Sequence, residues 1–303
     1  MGCCTSQPVG DNGFKPSSFA LSVACPQRTA YSPGYQGRRG GGADQPGGEK
    51  EQEKEEAKRG LVYTGTKKIL VIGNEERFLE MENGKRFDTG NHPVETLVPL
   101  LYLRDAGFSF DFATPTGKPV HLEMWAFPSK DTHVKELYDA LKPRLDAPLK
   151  LHEVDASLDD YAAIFIPGGH GAMHLVGNAD LGVLLRSAHA QQLTTISICH
   201  GPAGLLAASV GSDPTSEFIY KDYKLNVFPD SVDEFSPKIG YMPGRMKLPL
   251  CRALLDRGVQ IMNTKDDDST YVHKELITGA SPKASVQLGK LAADELVKKL
   301  CAQ

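Results

Sequence analysis

No apolar run in the chain approaches the roughly 18 residues needed to span a bilayer, and the densest stretch, 97–103, is broken by Pro99. A membrane-crossing helix is therefore not expected. The six cysteines, at 3, 4, 25, 199, 251 and 301, form no regular framework and no CxxC pair, which argues against a disulfide scaffold or a zinc ribbon and for a reducing, cytoplasmic setting. Charge of one sign is also lacking: 34 basic against 38 acidic residues give a net charge of −4, so no nucleic-acid partner is expected. There is no internal repeat. What is present is an ordinary composition, 40% hydrophobic and 24% charged over 303 residues, enough for one large α/β domain or two smaller ones.

Residues 1–60 stand apart from the rest. They are rich in Gly, Pro, Ser and Gln and end in a charge run over 49–59 without an apolar face, which reads as a flexible tether. The opening Met1-Gly2-Cys3-Cys4-Thr5-Ser6 meets the myristoylation pattern at Gly2, with Cys3 and Cys4 placed for palmitoylation. One acyl chain holds a membrane surface weakly and two or three hold it stably, so attachment to the cytoplasmic face of a membrane is expected of this end.

From Thr66 strands and helices alternate. Buried strands are expected at 68–72, 108–113, 161–167 and 194–198, and helices at 91–107, 181–191 and 281–300. Pieces at 259–262, 270–273 and 276–278 complete the set. This order predicts an α/β fold with a doubly wound, mostly parallel sheet over 61–303. Residues 114–157, with Trp125, Phe127 and a helix near 132–141, interrupt the rhythm and read as a small inserted cap.

Cys199 ends the apolar run Thr194-Thr195-Ile196-Ser197-Ile198 and is followed at once by His200-Gly201-Pro202-Ala203. A strand that turns into a helix at one residue presents its sulfur at the rim, and the helix N-terminus is expected to lower the thiol pKa. A small apolar cysteine in a core is the other reading of the same pentapeptide. In open parallel sheets reactive groups gather beyond the strands' carboxyl ends. Gly168-Gly169 after the third strand could present an N–H to an oxyanion, with the His200 N–H as second donor, or could be a plain turn. Glu95 falls at N3 after Pro93, as a dipole-favoured acid, an active-site acid, or both.

The segments Ala162-Ala163-Ile164-Phe165-Ile166-Pro167-Gly168-Gly169-His170-Gly171, Ile196-Ser197-Ile198-Cys199-His200-Gly201-Pro202, Thr89-Gly90-Asn91-His92-Pro93-Val94-Glu95 and Ile239-Gly240-Tyr241-Met242-Pro243-Gly244 resemble the DJ-1/PfpI superfamily. Within it they resemble the branch of heat-shock chaperones with glyoxalase III activity, over about residues 62–300. The resemblance implies a flavodoxin-like, class I glutamine amidotransferase-like fold. It implies Cys199 as nucleophile, Glu95 as the buried acid beside it, and His200 as the imidazole of a triad-like set. Asp233 would orient that imidazole, with Asp230 and Glu234 near enough in sequence to compete for the role. His170 and His174 read as pocket-wall or surface residues. Relatives carry a His/Glu/His metal set, but the aligned positions here are Arg104, Ser109 and Leu141, so no metal and no cofactor is expected.

The activity implied is glutathione-independent conversion of methylglyoxal, a 2-oxoaldehyde, to lactate through a Cys199 hemithioacetal held by the Gly169 and His200 N–H groups. Deglycase activity on protein or nucleotide adducts is the same chemistry on larger substrates. A holdase chaperone for unfolded-protein clients and a thiol redox sensor are the alternatives. A homodimer is implied by resemblance alone.

Overall fold

A computed structural model of the chain describes residues 62–213 and 215–301. Gly2, Cys3 and Cys4, where acylation is expected, and the expected tether over 1–60 lie outside the described residues. The strands are β1 (Lys68–Ile72), β2 (Phe78–Glu80), β3 (Arg86–Asp88), β4 (Phe110–Thr114), β5 (Leu149–Lys150), β6 (Tyr161–Ile166), β7 (Thr194–Ile198), β8 (Lys224–Leu225), β9 (Gln260–Ile261), β10 (Thr270–His273) and β11 (Leu276–Gly279). The helices are α1 (Pro93–Asp105), α2 (Thr132–Asp146), α3 (Ala179–Ala190), α4 (Asp230–Phe235), α5 (Leu250–Leu255) and α6 (Ser285–Cys301).

Seven strands form the main sheet in the order β10-β11-β7-β6-β1-β4-β5. Every pairing is parallel except β10 with β11, and the central five run in the flavodoxin-like order. Alternate residues of each strand face opposite layers, and the sequence obeys this period. Ile69, Val71, Phe165, Ile196 and Ile198 pack with α1, α2 and α6 on one side. Leu70, Ile72, Ile164 and Ile166 pack with α3 on the other. Both faces are covered, so β6 and β7 are buried along their whole length.

The chain leaves β1 toward β4 and β5, then returns beyond β1 to β6 and β7. The crevice at that reversal opens at the ends of β1, β6 and β7, where Asn74, Gly168 and Cys199 lie. Residues 114–157 differ from the expected cap. Their helix α2 lays Val134, Leu137 and Leu141 into the core and leads to β5, which joins the sheet edge beside β4. Only the stretch around Glu123 to Phe127 reaches the crevice. The 259–262 piece pairs with β8 in a separate two-stranded ribbon rather than with the main sheet. A second ribbon, β2 with β3, carries Met81 and Phe87 onto Met242 and Met246; its short strands leave no long periodic signal in the sequence.

Candidate active site

The backbone at Cys199 adopts φ +58°, a left-handed conformation that a non-glycine residue holds at a cost of about 1–3 kcal/mol. Its surroundings impose it: the Cys199 N–H donates to the Gly279 carbonyl at 2.9 Å, and its own carbonyl accepts from the Phe228 N–H at 3.0 Å. Pinned on both sides, the residue turns its sulfur into a cavity of about 340 Å³ that Glu95, Glu123, His170 and His200 also line.

Sγ lies 3.3 Å from Nδ1 of His200, and Nε2 of the same ring lies 2.8 Å from Oδ2 of Asp233. The other carboxylate oxygen of Asp233 meets Nε2 of His170 at 3.0 Å, and the two rings lie with centroids 4.0 Å apart, tilted by 35°. Asp233 thus holds two imidazoles at once. Burial alone would raise its pKa, but the charges of His200 and His170 and the bonds from both rings hold it well below the usual carboxylate range. Its two rivals do other things: Asp230 accepts from the Cys251 and Arg252 N–H groups, and Glu234 is exposed. His174 lies outside this set, half-buried near Glu76.

Glu95, in the first turn of α1, is completely buried, and neither of its oxygens has a well-formed hydrogen bond among the described residues. The groups set against it are the Cys199 thiol and the Gly169 N–H. Burial raises its pKa well above the ordinary value against these two, and the nearby Glu123 carboxyl group raises it further. Burial thus favours its protonated form.

The thiol differs from expectation. The segment after Cys199 is a 3₁₀ helix, Gly201–Ser209, and only the His200 N–H acts to stabilise a thiolate. Burial, with the neighbouring Glu95 carboxyl and the Asp233 charge behind it, pushes the thiol pKa up instead of down. The resting sulfur is protonated and needs a base. His200 is the base in reach.

Two glycines make the site fit. A Cβ on Gly168 would stand 2.1 Å from Oε2 of Glu95 and 2.8 Å from Cβ of Cys199, so no larger residue can separate β6 from the acid and the thiol. Gly169, at φ +97°, turns its N–H toward Glu95 while a Cβ there would strike the Gly90 carbonyl at 2.4 Å. Zipping between neighbouring loops then brings 89–92 against the rest: His92 N–H donates to Gly168 O at 3.0 Å, and Glu123 N–H to Asn91 O at 3.0 Å.

Glu123 and the part played by His170 are not evident from the sequence. The signal for His170 is its place directly after Gly168-Gly169; for Glu123 no motif exists. Glu123 is buried at 3% exposure, and its Oε1 accepts the Thr89 hydroxyl and, at 3.2 Å, the Gly90 N–H. Half-buried His92, beside Trp125, is pushed down to about 3 by desolvation and by the charges of His170 and His200. The three positions aligned with the relatives' metal set do not converge on this site: Arg104 is exposed and pairs with Asp105, Ser109 is exposed, and Leu141 is in the core. Among the described residues His170, His200 and Asp233 are the one group whose ligand atoms lie close together, and all three atoms are engaged with one another.

The chain is 41% identical over 293 residues to the protein/nucleic acid deglycase HchA of Pseudomonas aeruginosa (strain LESB58), covering 95% of this chain and 92% of that one. It is 44% identical over 241 residues to protein/nucleic acid deglycase 1 of Escherichia coli (strain K12), covering 78% and 83%. Its fold matches the crystal structure of glyoxalase III from Candida albicans with a TM-score of 0.59 and 23% identity, over 75% of this chain and 97% of that one. The model of the DJ-1/PfpI family matches residues 88–295. No helix among the described residues is long and apolar enough to cross a membrane. With that match running from the end of β3 into α6 and enclosing Glu95, Cys199 and Asp233, the chain belongs to the DJ-1/PfpI family.

Proposed function

We propose that the protein converts 2-oxoaldehydes such as methylglyoxal to 2-hydroxy acids without glutathione, and acts by the same chemistry as a deglycase on early adducts of protein or nucleotide amines and thiols. The observation that carries this reading is the fully buried Glu95 carboxyl group, whose protonated form burial favours, set against a thiol whose imidazole is held by Asp233. The deglycase relatives support it, and a 340 Å³ cavity leaves most of its space unfilled by methylglyoxal.

His200 Nδ1 takes the Cys199 proton, and Asp233 stabilises the resulting imidazolium. The thiolate adds to the aldehyde carbon, C1, and the alkoxide is met by the N–H groups of Gly169 and His200. Glu95 gives its proton to that oxygen and becomes a carboxylate. It then removes the hydrogen from C1, an enediol forms, and the same proton is returned to C2. The product is a Cys199 thioester of lactate. Water attacks it and gives up a proton to the Glu95 carboxylate, which restores that acid; the departing sulfur recovers its proton from His200, and lactate leaves. No external thiol or cofactor enters the sequence of steps.

The test is lactate formation by purified protein with methylglyoxal and no glutathione, repeated for Cys199→Ser and Glu95→Gln. Loss in the first and a fall of about a hundred- to ten-thousandfold in the second support the reading; activity in Cys199→Ser equal to wild type refutes it.

A second reading has its own observation. Met124, Trp125, Phe235 and Ile239 stand about half exposed, the latter three at the rim of the cavity, an apolar surface suited to unfolded-protein clients. Suppression of aggregation that survives Cys199→Ala would separate it from the chemistry. Homodimer formation, and acylation at Gly2, Cys3 and Cys4, belong to the same proposal; membrane partitioning of the full chain against Gly2→Ala tests the anchor, equal soluble recovery rejecting it.

A further inference from the structure

The reaction above leaves one proton unassigned. When C1 loses its hydrogen, negative charge passes to the ketone oxygen on C2, and enediol formation needs an acid at that oxygen. Glu95 has just become the base and cannot serve as that acid. We propose that Glu123 is the second acid of the site, donating from Oε2 to the C2 oxygen.

The orientation of Glu123 is fixed from both sides of its carboxyl group. Oε1 takes the Thr89 hydroxyl and the Gly90 N–H, so that oxygen is an acceptor twice over. Oε2 is buried, has no partner among the described residues, and belongs to a side chain lining the same cavity as Cys199 and Glu95. A buried polar atom without a partner is costly to a folded protein and calls for an explanation. A donor hydrogen placed on Oε2 and satisfied by a substrate oxygen supplies one. Burial raises the Glu123 pKa above the ordinary carboxylate value, against the opposing His170 charge and the Thr89 and Gly90 bonds, which keeps the hydrogen available.

The protons balance. Glu123 gives its hydrogen to the C2 oxygen as Glu95 takes the one on C1, leaving a neutral enediol on sulfur. As Glu95 returns its hydrogen to C2, the C1 hydroxyl gives up its hydrogen to Glu123 and the thioester carbonyl forms. Both acids end as they stood when the enediol began to form, and no oxidant or reductant is consumed.

This rests on the isomerisation proposed above, so the wild type must first form lactate; if it does not, that reading fails and Glu123 is not what failed. The discriminating variant is Glu123→Gln. Its amide oxygen keeps the Thr89 and Gly90 bonds and its NH₂ occupies the Oε2 position, so a merely structural role is rescued while proton donation is lost. The variant is expected to melt as the wild type does and to block Cys199 with methylglyoxal at the wild-type rate. Its kcat for lactate should fall about a hundredfold, with KM within about threefold, and the isotope effect from deuterium on the aldehyde carbon should grow. Wild-type kcat, an unchanged isotope effect, adduct formation slowed in parallel with lactate formation, or a lost native melt would each overturn the assignment.

Discussion

Replacing Asp233 by Asn changes one atom of a buried carboxylate and leaves its shape intact. In the wild type Oδ2 stands 2.8 Å from His200 Nε2, and the imidazolium formed when Nδ1 accepts the Cys199 proton places its charge roughly 4 Å from that of the carboxylate. At an effective dielectric constant of about 20, two unit charges at that separation attract by about 4 kcal/mol. Asparagine keeps a hydrogen bond to one ring but no charge, and its NH₂ must face either His200 or His170, since both oxygens of Asp233 are engaged. Loss of most of that attraction, at about 1.4 kcal/mol per tenfold in rate, predicts a fall in kcat/KM of about a hundred- to a thousandfold. The measurement is lactate formation at pH 7 with native melting verified for the variant. A kcat/KM within about threefold of wild type would refute the view that His200 is charged during catalysis and that Asp233 supports it.

Glu95→Gln tests burial of the acid through stability. A carboxyl group whose folded pKa is raised adds stability below its unfolded pKa near 4.5 and loses it as pH rises through the folded value, about 1.4 kcal/mol for each tenfold weakening of the acid on folding. The neutral amide avoids that loss, so the melting temperature of Glu95→Gln relative to wild type should climb from pH 5 to pH 9; a constant difference contradicts the buried, protonated acid. Gly168→Ala forces a methyl group to 2.1 Å from Glu95 Oε2 and 2.6 Å from the Ile198 carbonyl, neither of which can retreat. It should destabilise the fold by about 1–3 kcal/mol and reduce lactate formation at least tenfold, checked by urea unfolding and by assay; a fully active, equally stable variant would show that the Gly168 turn has room to spare.

The sheet was legible in the sequence because buried parallel strands write themselves as short apolar runs: 68–72 and 194–198 match β1 and β7 residue for residue. The edge strand β5, two exposed residues long, has no such run, and its absence from the pattern made 114–157 look like an insertion. The nucleophile turn was legible as well, since Ile198-Cys199-His200-Gly201 joins a strand to a turn with no linker. Thiol acidity was not. A local argument sees the start of a helix but cannot see that the sulfur is enclosed between Glu95 and Asp233, which come from positions 104 residues before and 34 after it. Glu123 was missed for the same reason: its meaning comes from the Asn91 backbone, Thr89 and Gly90, contacts across more than thirty residues that no spacing rule anticipates.

Intact-mass measurement on protein mixed with methylglyoxal and quenched in acid within a single turnover, followed by peptide mapping, tests the covalent step itself. The account predicts one added methylglyoxal unit on Cys199, appearing before lactate and vanishing as lactate is released. Lactate produced at the wild-type rate with Cys199 unmodified throughout would contradict it.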